Sequence, residues 1–488
     1  MNDDASQPRS STALALGRLL ADGALDPRAV CEQAIAATAS APARHAFITV
    51  TADRARAEAE RSAERLRDGR PASPLDGVPI AWKDLFDVRG TRTTAGSETR
   101  RDAPPAATDA PAVARLAAAG MVCIGKTNLT ELAFSGLGLN AHFGTPRNPR
   151  GEAAAPRIPG GSSSGAAVAV AAGVVPCAIG TDTSGSVRVP AALCGLVGFK
   201  PTAAAIDRTG ILPLAPTIDS VGALAHSVTD VAAIDRLLRG LPAHVPEPAP
   251  LDRLRLAVPD GELVEDLAPD VRARFEAAMR RLHAAGATIE RRPLHALVRA
   301  QELMDVHGSL VSAEAARTHA ALFEQAATMQ LLDPRIRTRL EQARDVLKHG
   351  LAPLLAARAE LQALLREELD GALAVFPTVR HTAPLLAPLE RDDELFARVN
   401  LRTLRSTMVG SYLDMPGVTL PIGCGDHALP VGLLVSGPPK SDEPVLSAAL
   451  AIERVLDPHE GGGTAPTPPR IAAGREATLP RSPGSSAG

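Results

Sequence analysis

Two spacings of apolar residues divide the chain. Residues 12–38 and 52–68 repeat at the helical interval, and the second, ADRARAEAERSAERLRD, lays a charged stripe over an alanine face. Short apolar runs at 121–124, 174–179, 254–258, 372–376 and 431–435 have the length of buried strands instead. Further helical stretches lie between them, among them 112–119 and 269–285, and 165–175 predicts a buried helix after a serine-rich loop. Alternation over this length predicts an α/β layer architecture with a largely covered sheet. From about 240 to 370 the pattern turns mainly helical, opening on the proline-rich LPAHVPEPAP, and 335–369 predicts one or two long helices broken near 350–353. This stretch has the size of a small subdomain or cap on an ordered domain spanning 12–458. Residues 1–11 predict a flexible start, and 459–488 have the Gly/Pro/Ser composition of a disordered tail.

Composition narrows the function. Lys+Arg 52 against Asp+Glu 55 gives a net charge of -3, which provides no broad basic footprint for nucleic acid or an acidic membrane surface. Aromatic residues make up 2%, too few for base-stacking platforms, while 45% hydrophobic content supports a large core. The longest apolar run, GAAVAVAAGVVPCAIG at 165–180, is shorter than the ~20 residues of a spanning helix and contains Pro176. Five cysteines, Cys31, Cys123, Cys177, Cys194 and Cys424, form no C-x-x-C pair and read as buried thiols of a reducing compartment. The polar, acidic start MNDDASQPRSS is not a secretory n-region, so a cytoplasmic protein acting on a small molecule is expected. Lysine occurs only at 83, 126, 200, 348 and 440, arginine filling the other basic positions, so each lysine is informative.

Three motifs compete for the chemistry. GMVCIGKT at 120–127 satisfies the phosphate-loop expression G-x-x-x-x-G-K-[ST], but its MVCI is itself a strand and a helix precedes it, the reverse of the required strand–loop–helix order. GSSSG at 161–165 fits the G-x-S-x-G nucleophile elbow around Ser163, yet the upstream PRIPGG holds two prolines and no strand. The third is a set of segments. GVPIAWKDLFDVRG (77–90) ends an apolar run on Lys83; PGGSSSG (159–165) and GTDTSGSVRVPA (180–191) supply glycines for close backbone approach and serines for hydroxyl chemistry. On its own Lys83 reads as an ion pair with Asp84 or Asp87.

The order and spacing of these segments resemble the amidase signature family, whose pattern runs from a lysine in G-V-P-x-x-x-K-D through G-G-S-S-G-G-S to G-T-D-T-G-G-S. Ser162 and Ser186 stand 24 residues apart, as that pattern has them. GKTNLTE (125–131), CGLVGFKPT (194–202), LAPTIDSVG (214–222) and LPVGL (429–433) fit as well. The likeness covers roughly 12–457, is most specific between 76 and 222, and is loose over 240–370. Two departures stand out: Ser184 replaces a commoner glycine, and Ser164-Gly165-Ala166 replaces G-G-S. The resemblance implies an amidase signature fold, with a mixed central β-sheet covered by helices on both faces. It also implies a Ser–Ser–Lys triad: Ser186 as nucleophile, Ser162, held after a cis peptide bond, as bridge, and Lys83 as base. A lysine of ordinary pKa ~10.4 is charged at neutral pH, so this role requires burial to lower it.

The backbone N–H groups of Thr183, Ser184, Gly185 and Ser186 form the expected oxyanion hole. Arg188 either holds Asp182 or binds a substrate carboxylate, and Phe134 and Gly136, in the loop FSGLGLN (134–140), are candidate substrate contacts. Ser163 and Ser164 are expected to hydrogen-bond within the loop. The implied activity is hydrolysis of a small carboxylic amide to acid and ammonia or amine, with no cofactor and no metal, since no ligand spacing such as H-E-x-x-H occurs. Alternatives are the A subunit of a tRNA-dependent amidotransferase, whose usual serine-rich segment differs from AAAIDRTG (203–210), and a non-catalytic binding protein on the same fold. A homodimer is what the resemblance allows; the residues set no oligomeric state.

Overall fold

The computed structural model describes residues 12–456, so the expected flexible start and Gly/Pro/Ser tail lie outside the described residues. Eleven strands form one mixed sheet: β1 (Phe47–Val50), β2 (Pro79–Lys83), β3 (Val122–Thr127), β4 (Cys177–Asp182), β5 (Val197–Lys200), β6 (Ser220–Ala225), β7 (Arg255–Pro259), β8 (Thr288–Arg292), β9 (Leu373–Pro377), β10 (Gly417–Cys424) and β11 (Pro430–Ser436). Their order is β1-β3-β2-β4-β6-β5-β10-β11-β9-β7-β8. β2 lies parallel to β3 and β4, and β7 parallel to β8 and β9, while the remaining pairs are antiparallel. Each of the five runs expected as strands contributes to the sheet.

Central strands are buried along their whole length, which is why they read as continuous apolar runs rather than alternating ones. Consecutive residues serve opposite faces: Ile80 and Trp82 enter a large cluster with Phe199 and Val221, whereas Ala81 enters a second one around the helix Ser164–Ala171. Every residue of that helix, SGAAVAVA, is buried. Its small side chains let it lie close on the sheet, and at Gly165 even a Cβ would come 2.3 Å from the Ala46 carbonyl.

Some boundaries differ from expectation. The single helix foreseen over 12–38 is two, Ala13–Ala21 and Pro27–Ala37. Asp26 caps the second by accepting the Arg28 N–H at 2.8 Å, and Pro27 occupies the first helical turn, where its missing donor costs nothing. The stretch 335–369 forms two helices broken where expected, Pro334–His349 and Leu351–Leu369, meeting at Gly350, where a Cβ would stand 2.0 Å from the His307 carbonyl. Within 240–370, residues up to 292 supply β7 and β8 at one end of the sheet, and from 295 on the chain is helical to Leu369. Among the described residues no helix is long and apolar enough to cross a membrane.

The phosphate-loop expression dissolves in the fold. Gly120, with φ +89°, follows the helix Pro111–Ala118, and 122–127 are β3 itself, their backbone groups taken by the sheet.

Candidate active site

Lys83 is the last residue of β2 and fully buried. Its Nζ donates to Ser162 Oγ at 2.7 Å and to Thr181 Oγ1 at 2.9 Å. The ion pair otherwise expected for it does not form. Asp84 leaves the strand on the other side and binds Lys126 Nζ at 2.5 Å, and Asp87 accepts the Thr93 hydroxyl at 2.7 Å. Burial therefore dominates at Lys83 and pushes its pKa down to about 7, against the opposing fields of Asp182 and Asp219. An amine of that pKa is available as a base near neutrality.

The Gly161–Ser162 peptide is cis. Backbone bonds hold this turn from two sides: Thr130 N–H donates to Ser162 O at 3.1 Å, and Gly161 N–H to Gly136 O at 2.8 Å. Ser163 N–H donates to Ser186 O at 3.1 Å, which ties the residue after Ser162 to Ser186. The Ser163 hydroxyl donates to Thr181 O at 3.3 Å, so it braces the loop, whereas Ser164 Oγ, at the start of its helix, has no partner among the described residues, contrary to the loop-bonding role expected for it. No strand leads into Ser163, so the nucleophile-elbow geometry is not built.

Ser186 lies in the turn between β4 and the helix Arg188–Cys194. Asp182 organises that turn. Its carboxylate accepts Gly185 N–H at 2.7 Å, Val187 N–H at 3.1 Å, and Arg188 Nε and Nη2 at 2.9 and 2.8 Å. Burial pushes the Asp182 carboxyl up, but Arg188 and the backbone donors prevail and hold it at about 2. The Gly185 N–H is thus engaged by Asp182, so Gly185 drops out of the expected oxyanion donors. The N–H groups of Thr183, Ser184 and Ser186 have no partner among the described residues. Gly185 has φ +131°, and a Cβ there would lie 2.1 Å from Thr407 Oγ1, so only glycine fits. Ser184, standing where glycine is commoner, is absent from the positive-φ residues, so its side chain costs the turn no left-handed strain.

Of the substrate-contact candidates, Arg188 is fully buried; its Nε and Nη2 bind Asp182 and its Nη2 also Ser411 Oγ at 2.8 Å, while Nη1 has no partner among the described residues. Its geometry is that of a brace for the turn. Phe134 and Gly136 belong to the loop that grips Ser162; Gly136 N–H and Ser135 Oγ both donate to Asn400 Oδ1, at 2.8 and 2.9 Å. A cavity of about 240 Å³ opens against Thr181, walled by Leu85, Ile211, Leu214 and Val221 with Asp219 and Arg208.

Several residues of the site are not picked out by the sequence reading. Thr181 sits inside the segment GTDTSGSVRVPA, and a hydroxyl beside a candidate lysine is a usable signal. Asp219, which accepts the Thr183 hydroxyl at 2.6 Å, is similarly within reach. Asn400, Thr407, whose hydroxyl donates to Ser184 O, and Ser411 come from the helix Asp393–Tyr412 and carry no signal at all.

Comparison with known proteins gives this arrangement its class. A family model described as Amidase matches residues 29–446, and the chain belongs to that family: it is a hydrolase acting on C–N amide bonds. Among its relatives is 2-amino-5-chloromuconic acid deaminase from Comamonas testosteroni, 37% identical over 85% of this chain and 89% of the relative. The A subunit of glutamyl-tRNA(Gln) amidotransferase from Cupriavidus necator is 32% identical over 93% of this chain and 98% of its own length. A crystal structure of an amidase superposes with a TM-score of 0.81 at 31% identity, covering 91% of this chain and all of that one.

Proposed function

We propose that this chain hydrolyses a small carboxylic amide to the acid and ammonia or amine through a seryl acyl-enzyme. The observation that carries the reading is Lys83: a buried amine with no carboxylate bonded to it among the described residues, hydrogen-bonded instead to Ser162. Neutral Lys83 takes a proton from Ser162 as Ser162 takes one from Ser186, and Ser186 Oγ forms a bond to the amide carbon. The carbonyl oxygen becomes an oxyanion facing the N–H groups of Thr183, Ser184 and Ser186; donors of this kind contribute about 3–4 kcal/mol each to lowering the barrier. The proton returns through Ser162 to the amide nitrogen, the C–N bond breaks, and the amine leaves. Water then attacks the ester by the same relay, freeing the acid and restoring Ser186. The Ser186 hydroxyl has no hydrogen bond among the described residues, in keeping with catalytic bonds that tighten only when substrate is present.

Ser186→Ala removes the only atom that carries the acyl group. Ammonia release from activated amides should fall to background in this variant, and wild-type-like turnover would end the proposal. A second reading, the A subunit of an amidotransferase, is favoured by the second relative. Against it, the first relative's named substrate is a small acid, and AAAIDRTG departs from the usual sequence of such proteins. Ammonia release from simple amides by the chain alone supports the hydrolase; glutaminase activity together with co-purifying unlike subunits supports the rival. A cytoplasmic setting belongs to the same proposal and suits the five unpaired thiols, four of them buried.

A further inference from the structure

The helix Pro334–His349 carries a cation that no anion of the described residues meets. Arg339, on the helix Pro334–His349, is part-buried; its Nε donates to Phe134 O at 3.1 Å and its guanidinium lies 4.6 Å from the centre of the Phe134 ring. No carboxylate of the described residues bonds to it. Arg335, one turn earlier on the same helix, grips Asp333 at 2.6 Å. Burial is the single influence on Arg339 and pushes its pKa down to about 10. This half-buried guanidinium rests on an aromatic face and a single carbonyl, and its Nη atoms, which have no partner among the described residues, stay open to a ligand from outside the chain.

Its position ties it to the turn that carries Ser162. Phe134 lies on the loop whose two ends, Thr130 and Gly136, hold the Gly161–Ser162 turn. The same helix is docked onto that loop at its start, where Asp333 N–H donates to Glu131 Oε2 at 2.8 Å. With Nε on the Phe134 carbonyl and one face on the ring, the Nη1 and Nη2 edge of the fork remains, the edge that pairs with a carboxylate through two parallel bonds.

We infer that Arg339 is a specificity residue that selects amides whose acyl portion ends in a carboxylate, the monoamides of short dicarboxylic acids. The inference rests on the amidase reading and narrows it: when ammonia is the leaving group, an anionic anchor has to sit on the acyl part.

Malonamate, succinamate and glutaramate are compared with uncharged amides of matching length, such as 4-oxopentanamide for succinamate. The wild-type chain should prefer the best carboxylate substrate by about 10–100-fold in kcat/KM, the range of a charge-assisted hydrogen bond. Arg339→Gln should lose that preference through KM, with the uncharged amides within about threefold, and Arg339→Lys should recover part of it. Equal losses on both substrate types, or no preference in the wild-type chain, overturn the inference. Binding of malonate, succinate and glutarate, followed by calorimetry, separates the two claims and uses the wild-type chain even if a variant folds poorly. Dicarboxylate binding that disappears in Arg339→Gln while no amide is hydrolysed sinks the amidase reading and keeps the anion site. Amide hydrolysis with dicarboxylates unbound, or bound equally by Arg339→Gln, does the opposite.

Discussion

β2 and β3 bury two lysines one strand apart, and their surroundings give them opposite fates. Lys126, level with Trp82 across the parallel pair, meets Asp84 at 2.5 Å and also bonds Arg92 O and Thr93 Oγ1 at 2.8 and 3.0 Å. Burial lowers the Lys126 pKa and raises that of Asp84, while each partner's charge opposes the shift in the other. Lys83, one position further along β2 and on the other side, meets two hydroxyls, Ser162 and Thr181, and no acid of the described residues. Depth is the same; the counter-charge is not. A paired lysine serves structure, and an unpaired one held at about pKa 7 is what the proposed mechanism needs as its base. Since each pKa unit is about 1.4 kcal/mol, holding Lys83 neutral costs the folded state several kcal/mol near pH 7.

The largest test of this contrast is Lys83→Met. Its kcat/KM should fall by about 10²–10⁴-fold, the range for losing a general base. Stability carries a second signature. Between about pH 7 and 10.5 the unfolded chain holds a proton on Lys83 that the folded chain does not, so wild-type stability from this group rises with pH. The stability of Lys83→Met relative to wild type should therefore decline over that window in urea denaturation, and a flat difference would refute the neutral lysine.

Lys126→Met should do the reverse: about 3–5 kcal/mol of stability lost because Asp84 is left buried alone, with kcat/KM of the folded enzyme within about twofold. Replacing both partners, Lys126→Met with Asp84→Leu, should recover most of that loss. If Lys126→Met instead removes activity at full stability, the two lysines have been assigned the wrong way round. The smallest expected effect is that of Thr181→Val. Without this acceptor the ammonium form of Lys83 is less favoured, so the acidic limb of kcat/KM, expected near pH 7, should move to lower pH by up to about one unit. A limb that stays in place would mean Thr181 does not govern the proton.

Local chemistry explains what could be read in advance. Buried strands announce themselves as apolar runs, and the glycines and serines of 159–165 and 180–186 are required by backbone geometry and hydroxyl chemistry wherever they fold. The break at Asp26–Pro27 was also legible, as a cap followed by a first-turn proline, although the helical periodicity on either side obscured it. Gly185 shows the limit of such reading. Its N–H is a candidate oxyanion donor from the motif, but it is taken by Asp182, because only the folded turn decides which of four neighbouring donors a carboxylate captures.

What the chain's order of residues determined by itself was the inventory: a lysine ending a strand, a serine after two glycines, a second serine 24 positions on, and an alternating scaffold to carry them. Which of Lys83 and Lys126 would find an acid, and that Arg339 would be left without one among the described residues, the tertiary structure decided. Charge state depends on neighbours brought from far along the chain, and burial and pairing are properties of three-dimensional contact that spacing in sequence does not encode.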